Sequence, residues 1–401
     1  MRQQGNCAII RAMSKSPSAP DLLTMMDGLV SLPSMSSENL AFDVSNAAVI
    51  QRLAEWLEPL GFACEIIPNP GEPEKLNLIA VRGSGPGGLV LSGHADTVPY
   101  DEGHWRSDPF RLDERDGRLH GLGICDMKGF LAMAVAAAAE FRERDFQQPL
   151  IIVATADEES GMDGIRALRN LGRPKARFAV IGEPTGMRPI RTHKGILMDA
   201  ITVSGKAGHS SRPDLGANAI EGMHEAIARI MAFRQRLAAH DAGGAFAINH
   251  PTLNLGCIHG GDSANRIPSR CQMQIDLRFP PGYQAQDLRQ QLRAEFAAGL
   301  STAGCSIEFE TLFDGVPAFQ TAPSSPLVAA CERLTGHSAG AVDFATEGEF
   351  FNEMGMDTII LGPGGIEQAH QPDEYLALDR IAPMMDVLRG LINQYCVQAA
   401  A

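Results

Sequence analysis

Five residues able to bind a metal recur at comparable places in the chain, at or just beyond short apolar runs. His94 lies in "LVLSGHADTVPY", Asp126 in "GLGICDMKG", Glu159 in "ATADEES", Glu183 in "VIGEPTG" and His370 in "LGPGGIEQAHQPDEY". Each has a plain reading when taken singly: a polar residue at a strand end, or for Asp126 an N-cap of the helix that starts near Lys128. The glycines around Asp126 do not make a nucleotide loop, because the third glycine and the GK[ST] ending are missing. Jointly, two imidazoles and three carboxylates suit two divalent ions that share one bridging carboxylate. Asp96, two residues after His94, is a nearby acceptor of the kind that fixes the tautomer of a metal-binding imidazole. The run Asp157-Glu158-Glu159 poses its own question, since three adjacent carboxylates at the end of a buried element raise one another's pKa.

Elements must bring these positions together. Short apolar strands over 76–81, 89–91, 150–155 and 178–181 alternate with helical stretches, the clearest over 128–140, which predicts an α/β domain with a largely parallel central sheet and helices on both faces. Open sheets of this kind bind ligands at the carboxyl ends of their strands, where four of the five residues fall. From about 197 the rhythm changes. A strand over 197–203 precedes a helix with Ile220, Met223, Ile227, Ile230 and Met231 on one face, then strands over 252–258 and 270–279, a helix with Leu288, Leu292, Phe296 and Leu300, and a strand over 306–312. That βαββαβ order predicts a ferredoxin-like domain inserted into the larger one. A strand over 358–361 and a helix over 379–394 return to α/β character. The expected domains are a disordered extension over 1–20 with Met13 as an alternative start, a catalytic domain over 21–194 and 313–401, and the insert over 195–312.

Composition excludes other classes. The 401 residues carry 34 Lys+Arg against 48 Asp+Glu, a net charge of -14, which repels nucleic acid and anionic membrane surfaces. The longest apolar run, 130–139, is half of the ~20 residues a membrane span needs. Eight scattered cysteines without a CxxC pair argue against a disulfide framework and for a reducing cytoplasm.

The ordered motifs "SGHADTVPY", "GLGICDMKG", "ATADEES", "IGEPTG", "HKG", "GHSSRP", "TLNLGCIHGGDSANRIP" and "GPGGIEQAHQPDEY" resemble the di-zinc peptidase and deacylase group, which includes succinyl-diaminopimelate desuccinylase, carboxypeptidase G-type enzymes and aminoacylase. The last two motifs are similar to its acetylornithine deacetylase branch. The resemblance runs from about Asp21 to the C-terminus. It implies one zinc on His94 and Glu183, a second on Glu159 and His370, and Asp126 bridging, with cobalt as an alternative occupant of one or both sites. It further implies that Asp96 orients His94, that Glu158 is the general base for a zinc-bound water, and that the peptide after Asp126 is cis. Because successive side chains at a strand end point to opposite sides, Glu159 can ligate while Glu158 faces the water; Asp157 is left to cap the turn. His209 is implied as an oxyanion stabiliser from the partner of a homodimer joined through the insert, Asn265 and Arg278 as holders of the substrate α-carboxylate, and Glu347 as the partner of a side-chain amine. The implied reaction is hydrolysis of N2-acetyl-L-ornithine to ornithine and acetate in arginine biosynthesis. The alternatives are another N-acyl amino acid as the substrate, or a non-catalytic metal-binding protein of the same fold.

Overall fold

The computed structural model describes residues 19–239 and 244–398. The expected N-terminal extension lies outside the described residues except for its last two, as does Met13. In chain order the principal elements are helices α1 (Leu22–Val30) and α2 (Ala47–Leu57), strands β1 (Ala63–Asn69), β2 (Glu72–Arg82) and β3 (Leu89–His94), helix α3 (Lys128–Ala139), strand β4 (Leu150–Thr155), helix α4 (Asp163–Leu171), and strands β5 (Phe178–Ile181), β6 (Ile190–His193) and β7 (Gly195–Ser204). There follow helix α5 (Ala219–Ala238), strands β8 (Thr252–Gly260) and β9 (Arg270–Phe279), helix α6 (Ala285–Ala294), strand β10 (Ser306–Val316), helix α7 (Pro326–Thr335), strand β11 (Asp357–Ile360) and helix α8 (Leu378–Ile392). Contacts divide the chain into two units, one of 1–191, 321–340 and 346–401, the other of 192–320 and 341–345.

The first unit is built on a sheet in the order β1-β2-β4-β3-β5-β11-β6. Its centre, β4-β3-β5-β11, is parallel, and its margins are antiparallel because β1 and β2 form a hairpin and β6 enters beside β11 in reverse. Parallelism is therefore confined to the strands that carry the candidate ligands. Every residue of β3, β4 and β5 is buried, as expected of parallel strands covered on both faces. α3, "KGFLAMAVAAAA", is buried on nearly every side, so it belongs to the core rather than the rim. α1 opens with Asp21, whose carboxylate accepts the Thr24 N–H at 3.1 Å, a regular N-cap. No helix among the described residues is long and apolar enough to cross a membrane.

The second unit is an antiparallel sheet in the order β8-β9-β7-β10, backed by α5 and α6. In chain order it is βαββαβ. On β9, Cys271, Met273, Ile275, Leu277 and Phe279 are buried, with more exposed residues between them, so the two-residue period sets one face on the helices. The α5 face differs from expectation. Met223, Ala226, Ile230, Phe233 and Leu237 are its buried stripe, while Ile220 in the first turn is 46% exposed. Apolar periodicity finds a stripe but does not show where along the helix the covering sheet stops.

Candidate metal centre

His94 is the last residue of β3. β4 ends at Thr155, and the chain turns through Asp157 in the left-handed region, φ 56°, to present Glu158 and Glu159. β5 ends at Ile181, and Gly182 precedes Glu183. Gly182 is required for packing: a Cβ there would lie 2.0 Å from the buried Phe130 ring of α3. Asp126 stands just before α3, and the Asp126–Met127 peptide is cis. The loop after β11 brings His370 round with φ 59°, an uncommon backbone for a non-glycine residue.

These residues converge. His94 Nε2 is 3.0 Å from Asp126 Oδ1, and His370 Nε2 is 3.0 Å from Glu159 Oε2 and 3.7 Å from Asp126 Oδ2. One ligand atom from each of His94, Asp126 and Glu159 lies within 4.8 Å of the others, and so does one from each of His94, Glu158 and Glu183. Asp96 acts through both ends of the residue. His94 Nδ1 is 2.9 Å from its main-chain carbonyl and 3.7 Å from its carboxylate, while that carboxylate accepts the main-chain N–H groups of Glu158 at 3.4 Å and Glu159 at 3.2 Å.

Asp157 is neither solvated nor simply a turn cap. Its carboxylate accepts from Ser36 Oγ and Asn69 Nδ2, each at 2.8 Å, and lies 3.2 Å from the buried Lys75 ammonium, which also pairs with Asp43 at 2.6 Å. Its main-chain carbonyl accepts the Met162 N–H at 2.6 Å. The first acid of the run therefore anchors the turn that aims the other two.

Electrostatically, the side chains of the cluster carry more negative than positive charge. Burial, with the charge of Glu183 next, holds the Glu158 carboxyl well above the usual range; burial and Asp126 do the same to Glu183, and both raise Glu159. Burial alone would lower His94, but its hydrogen bond to Asp126 and the surrounding carboxylates leave it well raised. His370 is pushed up to about 8, chiefly by its hydrogen bond to Glu159. Glu347, fully buried, is raised to about 7 by burial, and its charge acts on Glu158 and Glu183. Glu183 Oε1 is buried without a hydrogen-bond partner among the described residues. A compact set of two imidazoles and several buried carboxylates whose negative charges raise the pKa of Glu158, Glu159, Glu183 and the imidazoles, with the Glu183 Oε1 left unpaired, fits a cation-binding centre.

The structure thus brings His94, Asp96, Asp126, Glu158, Glu159, Glu183, Glu347 and His370 into one neighbourhood of the first unit. The other three named residues lie in the second unit. His209 is exposed on a two-residue ladder with Arg266, its Nδ1 accepting the Ser211 N–H at 3.2 Å. Asn265 is beside it, its carbonyl accepting the Ser210 N–H at 3.1 Å. Arg278, on β9, is paired with Asp276 at 3.0 Å. Sequence reading missed Lys75, Lys128 and Glu374. Lys128 is 1% exposed, donates to the Leu32 carbonyl at 2.8 Å, and is pushed down to about 7 by burial. Lys128 and Glu374 sit inside quoted motifs, yet nothing in their spacing reveals a partner.

Comparison with known proteins adds independent findings. Residues 90–394 match the family model described as Peptidase family M20/M25/M40. The chain is 44% identical to an acetylornithine deacetylase of Pasteurella multocida (strain Pm70) over 94% of its own length and 98% of that protein's. It is 43% identical to an acetylornithine deacetylase of Proteus mirabilis (strain HI4320) over 95% and 98%. Among solved structures, a tripeptidase from Staphylococcus aureus superposes with a TM-score of 0.73 at 20% identity, covering 95% of this chain and 98% of that one. An M20 family metallo-carboxypeptidase from Sulfolobus solfataricus gives 0.71 at 16% identity, covering 92% and 98%. These two likenesses bear on the fold.

Proposed function

The chain belongs to the M20/M25/M40 peptidase family, a group of metal-dependent hydrolases, and from that premise we propose that it hydrolyses N2-acetyl-L-ornithine to L-ornithine and acetate. The observation that carries the reading is the convergence of His94, Asp126, Glu158, Glu159 and Glu183 within ligand reach in a chain 42–44% identical, over nearly its whole length, to acetylornithine deacetylases.

We assign His94 and Glu183 to one divalent ion and Glu159 and His370 to a second, with Asp126 shared; zinc is the proposed occupant and cobalt a competent substitute. When bound, such ions polarise an acyl carbonyl and make water acidic enough to act as a nucleophile near neutral pH. Glu158 takes the proton from the attacking water as the new C–O bond forms at the acetyl carbon. It then returns that proton to the departing α-amine as the C–N bond breaks, releasing acetate and ornithine. The Asp96 carboxylate, by holding both the Glu158 and Glu159 main chains, keeps the base and its neighbouring ligand on separate courses. Burial favours this division, since a carboxylate held away from water is the stronger base.

Recognition is assigned to charges complementary to ornithine: Asn265 and Arg278 to the α-carboxylate, for which a guanidinium fork is apt, and Glu347 to the side-chain ammonium. His209, from the other copy of a homodimer joined through the second unit, is assigned to the developing oxyanion. The proposed setting is arginine biosynthesis in the cytoplasm, in keeping with seven free cysteines among the described residues. Measuring kcat/KM on N-acetylornithine, N-succinyl-diaminopimelate and neutral N-acetyl amino acids tests the assignment. The highest value is expected for N-acetylornithine, and Glu347→Gln should lower that preference by raising KM for the cationic substrate alone. A higher value for a neutral substrate refutes it.

A further inference from the structure

The Glu374 carboxylate is 2% exposed and neither of its oxygens is free. Oε2 accepts the Gly123 N–H at 2.9 Å, and Oε1 accepts those of Cys125 at 2.7 Å and Asp126 at 3.0 Å. These three donors come from the turn that delivers Asp126, more than two hundred residues earlier in the chain. Burying a carboxylate is costly unless it is paired, and three charge-assisted hydrogen bonds to main-chain donors supply that pairing. Glu374 is also only four residues beyond His370. The intervening turn is closed by the Glu374 N–H on the Gln371 carbonyl at 3.2 Å, and it is fastened to the earlier segment at several further points. The Gly121 N–H donates to the Glu374 carbonyl at 3.2 Å, and Arg115 reaches Asp373 at 3.0 Å. Beyond these, Tyr375 pairs with His120 in a three-stranded ladder.

We propose that Glu374 is the positioning residue of the metal centre: by gripping the main chain of Gly123, Cys125 and Asp126, it holds Asp126 in a fixed relation to His370, four residues from itself. Two cation-binding side chains from distant parts of the sequence are thereby set by one carboxylate that touches neither the substrate nor an ion. The inference rests on the metal-centre assignment above and goes beyond it by naming what preorganises the bridging group.

The test is titration of the metal-free full chain with cobalt(II) alone, followed by its visible absorption and by calorimetry, for the wild type, Glu374→Gln and Glu374→Asp. The glutamine keeps the shape but turns an N–H donor toward main-chain donors; the aspartate keeps the charge but falls short of at least one of them. Glu374→Gln should bind cobalt ~10–100-fold more weakly, the range for lost outer contacts of metal ligands, and Glu374→Asp should lie between it and the wild type. In the metal-free proteins, amide hydrogen exchange over 121–127 should quicken in the same order. Asn218→Ala, which removes the N-cap of α5 in the second unit, should leave cobalt affinity unchanged, so that a general loss of stability is told apart from a positioning role. Affinities of both Glu374 variants within twofold of the wild type overturn the proposal; if Glu374→Gln does not fold, Glu374→Asp decides by the same criterion. A wild type that takes up no cobalt overturns the metal-centre assignment itself.

Discussion

Glu158 and Glu159 leave the same turn with different proposed tasks, and the neighbours that hold that turn are Asp96 and Asp157. Asp96 accepts both of their main-chain N–H groups, while Asp157 ties the turn to Ser36, Asn69 and Lys75. Replacing Glu158 with Ala should lower kcat at least ~10²-fold, the scale of general acid-base catalysis, with metal content by elemental analysis unchanged; loss of metal would mean that Glu158, not Glu159, is the ligand. Asp157→Ala leaves the Ser36 hydroxyl, the Asn69 amide and part of the Lys75 charge unpaired. It should cost about 1–3 kcal/mol in urea unfolding, the penalty for buried donors without acceptors. The convergence of the candidate ligands was legible from sequence because His94, Glu159 and Glu183 sit at or just past apolar strands and Asp126 at a helix mouth, with His370 in a glycine-rich loop after a later strand. The work of Asp157 was not, since its partners Asn69 and Ser36 are 88 and 121 residues away and no local period records contacts of that range.

Among the elements, the fully buried parallel strands and the apolar α3 fix where the candidate ligands emerge, and their fit leaves little room. Gly182→Ala would drive a methyl group into the Phe130 ring. The substitution should cost about 1–3 kcal/mol, the usual penalty of overpacking, and should also weaken metal binding, because Glu183 is the next residue. Thermal unfolding and cobalt titration of the same variant check both effects; a stability loss with unchanged affinity would detach the ligand from this packing. β4, β5 and β9 were placed from sequence at their observed bounds, since continuous burial and clean alternation are strong signals. The β1 strand was not placed, because five of its seven residues are apolar or small without a regular burial alternation, and its pattern is largely exposed. The Ile220 error on α5 has a related origin, as an apolar residue in the first turn continues the stripe without being covered.

At the scale of the molecule, burying so many carboxylates makes the metal-free protein a proton sink. Glu347 is raised to about 7, first by burial, and His370 to about 8, first by its bond to Glu159. Between the unfolded carboxyl pKa, about 4.3, and about 7, the folded state holds protons that the unfolded state has released. Unfolding free energy therefore falls as pH rises through that window. Lys128, lowered to about 7, opposes the trend only at higher pH. Thermal unfolding of chelator-treated protein should thus show higher stability near pH 5 than near pH 7, and added divalent metal should remove or reverse the slope, since its ligands bind deprotonated. A flat profile in the metal-free protein would contradict the charge balance described for the cluster. The most direct measurement of the central claim is release of ornithine from N2-acetyl-L-ornithine by the full chain, followed through chelation and stepwise return of zinc. The rate should vanish on chelation and return as zinc is restored, levelling off at two equivalents per chain; an undiminished rate after complete removal of metal would contradict the account.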